Sequence, residues 1–447
     1  MTSTTPATPS GAPTPNPLDL LRTRAYIVIL CYAALVGVPV AAIAYGFLAA
    51  VNKTQTWTFQ SLPSDLGYAS APWWWPLPIL VLGGLVTALA ITYLPGSGGH
   101  EPSLGLVVGG PPAPVQIIGV AVAAYVTLSA GAVLGPEAPL IAIGGGLAAW
   151  SVHLVKKDAP AQAAMVIGAA GSFAAISTLF GSPLVGAFLL MEISGIGGPT
   201  LGVLLVPGLL AAGIGSLIFI GLDSITGLGT FSLAVPSLPP VGTLRFSEFL
   251  WAIAIGILGA FAGTGIKAIG RVACRVISPR RLLFTPVAGA IVAAMAILFT
   301  QVAHHGTAMV LFSGENALGP LISQSSTWTV GALALLFVCK GVAYAVSLGG
   351  FRGGPTFPAI FLGAAGGLAM AHLFHFPTIA GAAMGMGALM VAVLGLPLTS
   401  AMLTALLLSS DSAKLMPLII VAVVVSYVAS VRLGPAPAAA AAPVSSA

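Results

Sequence analysis

Charge is what this chain has least of. Its 447 residues include only 15 basic and 10 acidic side chains, 6% of the total, where ordinary soluble domains carry roughly a quarter. Hydrophobic residues reach 57%, and the mean hydropathy is +1.06. A soluble globule would have too few charges to coat its outside, so the composition indicates an all-α polytopic membrane protein. Period-2 alternation is also missing, which excludes a porin-type barrel. Cys31, Cys274 and Cys339 lie far apart without a CxxC, so neither a disulfide framework nor a metal knuckle is indicated. The net charge of +5 would suit nucleic acid. The basic residues, however, sit in short clusters between apolar runs, so the expected partner is the lipid bilayer and not nucleic acid. No cofactor or metal is expected. HEPSL (His100 to Leu104) lacks the second His of HExxH, His372 and His375 have no third ligand nearby, and no nucleophile elbow occurs.

What is abundant is glycine (56) and proline (35), a combination suited to helices that break inside the bilayer. Residues 1–17 and 434–447 read as disordered Thr/Pro-rich and Ala/Pro-rich tails around a membrane domain at 18–433. The first tail lacks the basic and apolar regions of a signal peptide. Apolar segments fall near 25–51, 76–95, 114–134, 137–152, 161–179, 184–193, 200–222, 247–270, 284–301, 328–347, 358–374, 380–395, 398–409 and 416–433. Those at 137–152, 184–193 and 398–409 fall short of the roughly 17–25 residues a span needs, and read as half-helices or re-entrant pieces. Arg22 and Arg24, then Lys156 and Lys157, then Lys267, Arg271, Arg275, Arg280 and Arg281 mark three cytoplasmic stretches, with a cytoplasmic N-terminus. The nearly uncharged connection 223–245 then lies outside.

An internal repeat is the most informative feature. GPEAPLIAIG (Gly135 to Gly144) recurs as GPTFPAIFLG (Gly354 to Gly363), and GSPL (Gly181 to Leu184) as GLPL (Gly395 to Leu398), in the same order. Two pairs in order indicate a duplicated fold, with halves at about 20–222 and 246–433. In each copy a Gly-Pro pair leads into an apolar segment. Proline suits a first helical turn and glycine admits a ligand close to the backbone. Each copy therefore reads as a helix N-terminus within the membrane, its unpaired N–H groups and positive dipole end facing a cavity. Two such termini make an anion site without a full positive charge. Ordinary helix starts after turns are the alternative. Glu137 lies in the first copy, and a carboxylate at membrane depth costs about 2.5–3.5 kcal/mol, which marks it as functional. At a helix N-terminus it can compete with the anion as a tethered plug that leaves on protonation.

GSGGHEP (Gly96 to Pro102), GPEAP (Gly135 to Pro139) and GGPTFP (Gly353 to Pro358) resemble, in this order, the three anion-binding signatures of the CLC chloride channel and transporter family. The resemblance extends over GSPLVGAFLLMEI (Gly181 to Ile193) and spans about 20 to 433. LGPEAP and FRGGPTFP look most like a divergent bacterial branch. The resemblance implies an inverted-repeat fold of tilted and partial helices, a homodimer with one pore per subunit, and a bacterial inner membrane. It implies that Glu137 is the gating glutamate and that the Ser97 hydroxyl, within Gly96–Gly98, coordinates the anion. Backbone around Gly135 and Ala138, and around Gly354, Thr356, Phe357 and Pro358, would complete the site. Arg352 would raise the local anion concentration, or snorkel to the interface.

The chain also departs from that family. Glu192 falls on the first of two adjacent acidic positions, leaving it the candidate for a proton path, but Ile193 occupies the inner proton acceptor's place. The anion-coordinating tyrosine has no counterpart, since Tyr427 lies inside the last apolar segment. His100 and Glu101 bring unexpected titratable groups to the pore mouth. The expected function is transport of chloride or a similar small anion through a glutamate-gated pore, as a channel or weakly proton-coupled exchanger. A fully coupled H+/Cl− antiporter is the alternative. Fluoride is disfavoured because that branch carries asparagine at the Ser97 position. A polytopic enzyme and a cation carrier are the readings of other classes. A cation carrier would want more intramembrane carboxylates than Glu137, Glu192 and Asp411.

Overall fold

The computed structural model describes residues 21–106, 110–195, 199–227, 245–409 and 412–434. Most of both tails, most of the 223–245 connection, and Asp411 lie outside the described residues. Helix α1 (Arg24–Thr56) starts where the Thr23 hydroxyl accepts from the Tyr26 N–H at 3.2 Å, a polar N-cap before a long apolar run. It continues through a π turn and a last turn to Asp65. Then follow α2 (Pro76–Tyr93), α3 (Pro114–Ser129), α4 (Glu137–Val155), α5 (Ala161–Phe180), α6 (Pro183–Ser194) and α7 (Pro199–Thr226). The second half has α8 (Phe246–Ile277), α9 (Arg281–Ala303), α10 (Glu315–Ser323), α11 (Val330–Gly350), α12 (Thr356–Phe374), α13 (Thr378–Leu394), α14 (Pro397–Leu408) and α15 (Ser412–Leu433). Among the described residues, nine helical stretches are long and apolar enough to cross a membrane, so this is a multi-pass membrane protein.

Three sequence expectations need correction. The 137–152 segment is not short: α4 runs 19 residues, to Val155, because Pro139 sits in the first turn, where its missing N–H breaks no helical bond. Lys267, Arg271 and Arg275 do not lie in a loop but on the last turns of α8. The expected apolar pattern also missed α10, whose sequence ENALGPLIS is too polar and short for that signal. By contrast, α6 and α14 are each 12 residues long, too short to span.

The repeated motifs fold alike. Helices α4 and α12 each have 19 residues and a proline N-cap near φ −85° or −89°. Helices α5 and α13 each end on a left-handed glycine, Gly181 and Gly395, followed by the proline that opens α6 or α14. Helix α4 packs on α5, and α12 on α13, through facing small residues. A Cβ at Gly144 would stand 2.7 Å from the Gly171 carbonyl oxygen, and one at Gly367 2.6 Å from the Gly381 carbonyl carbon. Glycine lets the backbones touch, which compensates for the weak drive to associate apolar helices in lipid. The residues of α13 from Ile379 to Val393 are all buried, whereas Leu35, Leu217 and Leu250 of α1, α7 and α8 are exposed. Such apolar outer faces suit lipid and not water.

Overpacking a dense helix contact costs about 1–3 kcal/mol. Gly367→Leu should therefore lower the melting temperature in detergent and the monodisperse yield. Gly265→Ala, whose Cβ would meet nothing within 4 Å, should change neither. Equal melting of the two variants would contradict the packing argument.

Candidate anion site and its buried glutamate

The chain segments entering α4 and α12 meet as an antiparallel bridge. The Gly135 N–H donates to the Gly354 carbonyl at 2.8 Å, and the Gly354 N–H to the Gly135 carbonyl at 2.6 Å. This pairing brings the two helix N-termini together. Glu137, the first residue of α4, is fully buried, and its Oε1 accepts from the Thr356 N–H at the start of α12. The Phe357 amide and that of Glu137 itself also face the carboxylate. Pro358 cannot contribute a donor, because it has no N–H, so the donors of the second copy are Thr356 and Phe357. Glycine is required on both sides of the seat. A Cβ at Gly354 would collide with Glu137 Cδ, and one at Gly135 would stand 2.9 Å from the same atom.

The paired helix N-termini hold a carboxylate, that of Glu137. A helix N-terminus in a partly buried geometry stabilises negative charge by up to about 2 kcal/mol. Two termini together are comparable with the cost of about 2.5–3.5 kcal/mol of placing a charge at membrane depth. Glu137 Oε2 and Thr356 Oγ1 are buried without a hydrogen-bond partner, so bonding capacity remains in the seat. Tyr344 of α11, fully buried, donates its hydroxyl to the Pro355 carbonyl at 2.6 Å. That contact fixes the turn into α12. In the sequence Tyr344 is a lone tyrosine in an apolar helix, a pattern that carries no signal of this contact.

A cavity of about 580 Å³ reaches this seat from the side of the Gly96–His100 loop. Its wall includes Gly96, Gly98, Gly99, His100, Ala138, Pro139 and Gly353. Ser97 is exposed and is not part of that wall. Its backbone has φ 49°, and its carbonyl accepts from Arg352 Nε at 3.3 Å. Burial, with the Arg352 charge, lowers the His100 pKa, so the ring stays neutral at pH 7. Tyr427 lies on α15, and its ring packs against the core. His372 sits in the last turn of α12 and His375 is its C-cap.

Arg352 does not snorkel. It is 3% exposed, because carbonyls and a carboxylate inside the protein hold it. Its Nη1 donates to the Phe351 carbonyl at 3.2 Å, and its N–H to Thr127 Oγ1 at 3.3 Å. Glu101 lies 3.8 Å away and pairs with Arg281 at 2.6 Å. The Cys274 thiol donates to Glu101 Oε2 at 3.2 Å. Glu101 thus ties the cavity loop to α8, α9 and the turn before α12, which its place in GSGGHEP did not suggest. Glu192 also has a structural contact. Its carboxylate accepts from the Leu398 and Thr399 N–H groups at 2.8 Å each and from Thr399 Oγ1 at 2.6 Å, capping α14. Lys340 on α11, fully buried, donates to the Met309, Val310, Leu311 and Phe312 carbonyls at 3.1–3.2 Å. The sequence reading had no place for it.

Two outcomes follow from this geometry. Gly354→Ala should push the Glu137 carboxylate out of its seat and change chloride flux at least as much as altering Glu137 itself. Wild-type flux in a folded Gly354→Ala protein would contradict the close fit. For Glu101, burial acts to raise the carboxyl, but the Cys274 and Arg281 hydrogen bonds and the Arg352 charge outweigh it and hold it below its ordinary value of 4.5. A depressed carboxyl contributes stability above its unfolded pKa and loses it as pH falls through the folded one. Glu101→Gln should therefore melt lower than wild type at neutral pH, and the gap should close below about pH 4.5. A gap independent of pH would remove the ion pair from the account.

The comparisons with known proteins agree with this architecture. A protein of Salmonella newport (strain SL254) described as "Putative ion-transport protein YfeO" is 27% identical over 360 residues, 80% of this chain and 84% of that protein. The homologue from Salmonella agona (strain SL483) matches equally. The fold is similar to that of a slow cyanobacterial Cl−/H+ antiporter, with TM-score 0.73 and 21% identity over 92% of this chain and 95% of that one. It is also similar to that of a CLC-type fluoride/proton antiporter, with TM-score 0.67 and 20% identity over 90% and 95%. The family model described as "Voltage gated chloride channel" matches residues 107–430, which contain the paired helix N-termini and Glu137, and the chain belongs to that family.

Proposed function

We propose that this protein carries chloride, or a similar small anion, across the membrane through a pore closed by the Glu137 carboxylate. One observation carries the reading: a carboxylate accepts the Thr356 amide at the meeting point of two helix N-termini. The amides that would hold a transported anion hold this one instead. An ionised Glu137 and a chloride then compete for the same donors. Protonation removes the charge, the side chain leaves, and an anion from the cavity beside Ala138 and Gly353 takes the seat. The Arg352 guanidinium, next to Gly353, adds positive potential there, and Glu101 limits it. The Gly96–Gly98 backbone lines the approach. Ser97 would join the anion only if its loop turned, since its side chain is now exposed.

Proton coupling is weak in this reading. Ile193 packs against the core where an acid would serve as inner acceptor, and Glu192 is saturated by three donors of α14. Exchange with a strict stoichiometry has no carboxylate to carry the inner leg. The protein is read as a homodimer in the bacterial inner membrane. Arg22, Arg24, Lys156, Lys157, Arg280 and Arg281 lie on the cytoplasmic side by the excess of basic residues.

Liposomes loaded with potassium chloride, with valinomycin added and chloride and pH recorded together, test both statements. Wild type should release chloride faster as pH falls, with little proton movement. Glu137→Gln should keep or raise the flux and flatten its pH dependence. Absence of chloride release above empty liposomes would sink the transport reading. An unchanged pH profile in folded Glu137→Gln would end the gating role, and robust uphill proton pumping would overturn weak coupling.

A further inference from the structure

A buried gate needs a route for its proton. Glu137 is fully buried and its Oε2 has no partner. The cavity beside the Gly96–His100 loop touches Ala138 and Gly353 but not Glu137 itself. Outside the wall of that cavity stands a second acid. Glu315 opens α10, which packs on α12. A Cβ at Gly314 would lie 2.7 Å from the Phe361 ring, and Phe361 is on α12, one and a half turns beyond Thr356. The Phe312 N–H bonds the Gly131 carbonyl at 3.1 Å, tying the same segment to the chain that enters Gly135. The Lys340 ammonium fixes this segment through four successive carbonyls, 309 to 312. The start of α10 is therefore held against both halves of the site.

Glu315 is mostly buried yet reaches the surface, and its carboxylate accepts no hydrogen bond among the described residues. Burial, with the Glu137 charge added, pushes its carboxyl up to about 8. At neutral pH it holds a proton while sensing the charge on Glu137. The titratable groups facing it are few. Glu137 of α4 is the one whose charge reaches it; Tyr344 and Lys340 lie on α11, and the one titratable residue of α12, His372, is in its last turn. Helix α13 and the turn Ser325–Thr327 have none.

We propose that Glu315 is the proton-transfer residue of the gate, taking protons from the water at its exposed edge and passing them to Glu137. The two carboxyls share no hydrogen bond, so the step runs through an intervening water. An O–H bond of the Glu315 acid breaks as the water takes its proton, a water O–H bond breaks as one forms at Glu137 Oε2, and the negative charge moves from Glu137 to Glu315. Glu315 then regains its proton from bulk water. The chloride seat loses its plug in the same step. This inference rests on Glu137 being the gate, and holds whether or not the proton continues inward.

The test is chloride efflux from liposomes against pH, for wild type, Glu315→Gln, Glu315→Asp and Glu137→Gln at matched density. Glu315→Gln should slow the acid-induced rise in flux by about tenfold or more, and Glu315→Asp should restore most of it. A folded Glu315→Gln protein with the wild-type profile would overturn the relay while leaving the Glu137 gate standing. A Glu137→Gln protein with the wild-type profile would overturn both. A second readout needs no Glu315 variant: the infrared carbonyl stretch of protonated carboxyls. Removing the Glu137 charge should shift one titrating band to lower pH, because the neighbour that favours protonated Glu315 is gone. An unshifted band set, beyond loss of the Glu137 contribution, would count against coupling of the two acids.

Discussion

One interaction organises the rest of the described structure: the buried Glu137 carboxylate has to be satisfied by backbone N–H groups where two helix N-termini meet. The amides at the starts of α4 and α12 meet that requirement because they are oriented dipoles whose N–H groups have no partner within their own helices. Backbone dipoles do this without the desolvation cost of a full positive charge. For the two termini to converge, the chain must approach itself at Gly135 and Gly354 with hydrogen atoms where any other residue would have a Cβ.

The few full charges are kept off the seat and given other work. Arg352 is buried beside Gly353 but its donors reach carbonyls, a hydroxyl and the neighbourhood of Glu101. Glu101 draws Arg281 and Cys274 into the same cluster. Glu192 closes the open end of α14, where an apolar side chain would leave amide groups unpaired. Lys340 satisfies four carbonyls of the segment before α10, which would otherwise be polar backbone at membrane depth with no water to bond. In a chain with so few charges, Arg352, Glu101, Glu192 and Lys340 are each tied to the backbone or to an opposite charge.

Helix packing follows the same economy of side chains. The crossings of α4 on α5 and α12 on α13 use glycine and alanine because lipid offers little hydrophobic gain for bringing helices together. Close backbone approach supplies dispersion contacts instead. These pairs form the rigid walls that hold each N-terminus, so the abundance of glycine is as much a property of the site as of the fold.

Much of this was legible in the sequence. Charge scarcity and the apolar runs determined a helical membrane protein, and the repeated GPEAPLIAIG and GPTFPAIFLG determined that two similar helix starts exist, with Glu137 in one of them. These are local properties: hydropathy, proline at a first turn, and glycine beside it act over a few residues and leave their mark in order along the chain. What only the tertiary structure decided is which distant groups share a space. Thr356 lies 219 residues from the carboxylate it binds, Glu101 180 residues from Arg281, and Lys340 28 to 31 residues from its carbonyls. Arg352 could equally have reached for the interface, and the exposed Ser97 could have faced the cavity. No periodicity records such choices, because the free energy of burying a charge depends on partners that other helices bring, and the chain's own neighbours carry no information about them.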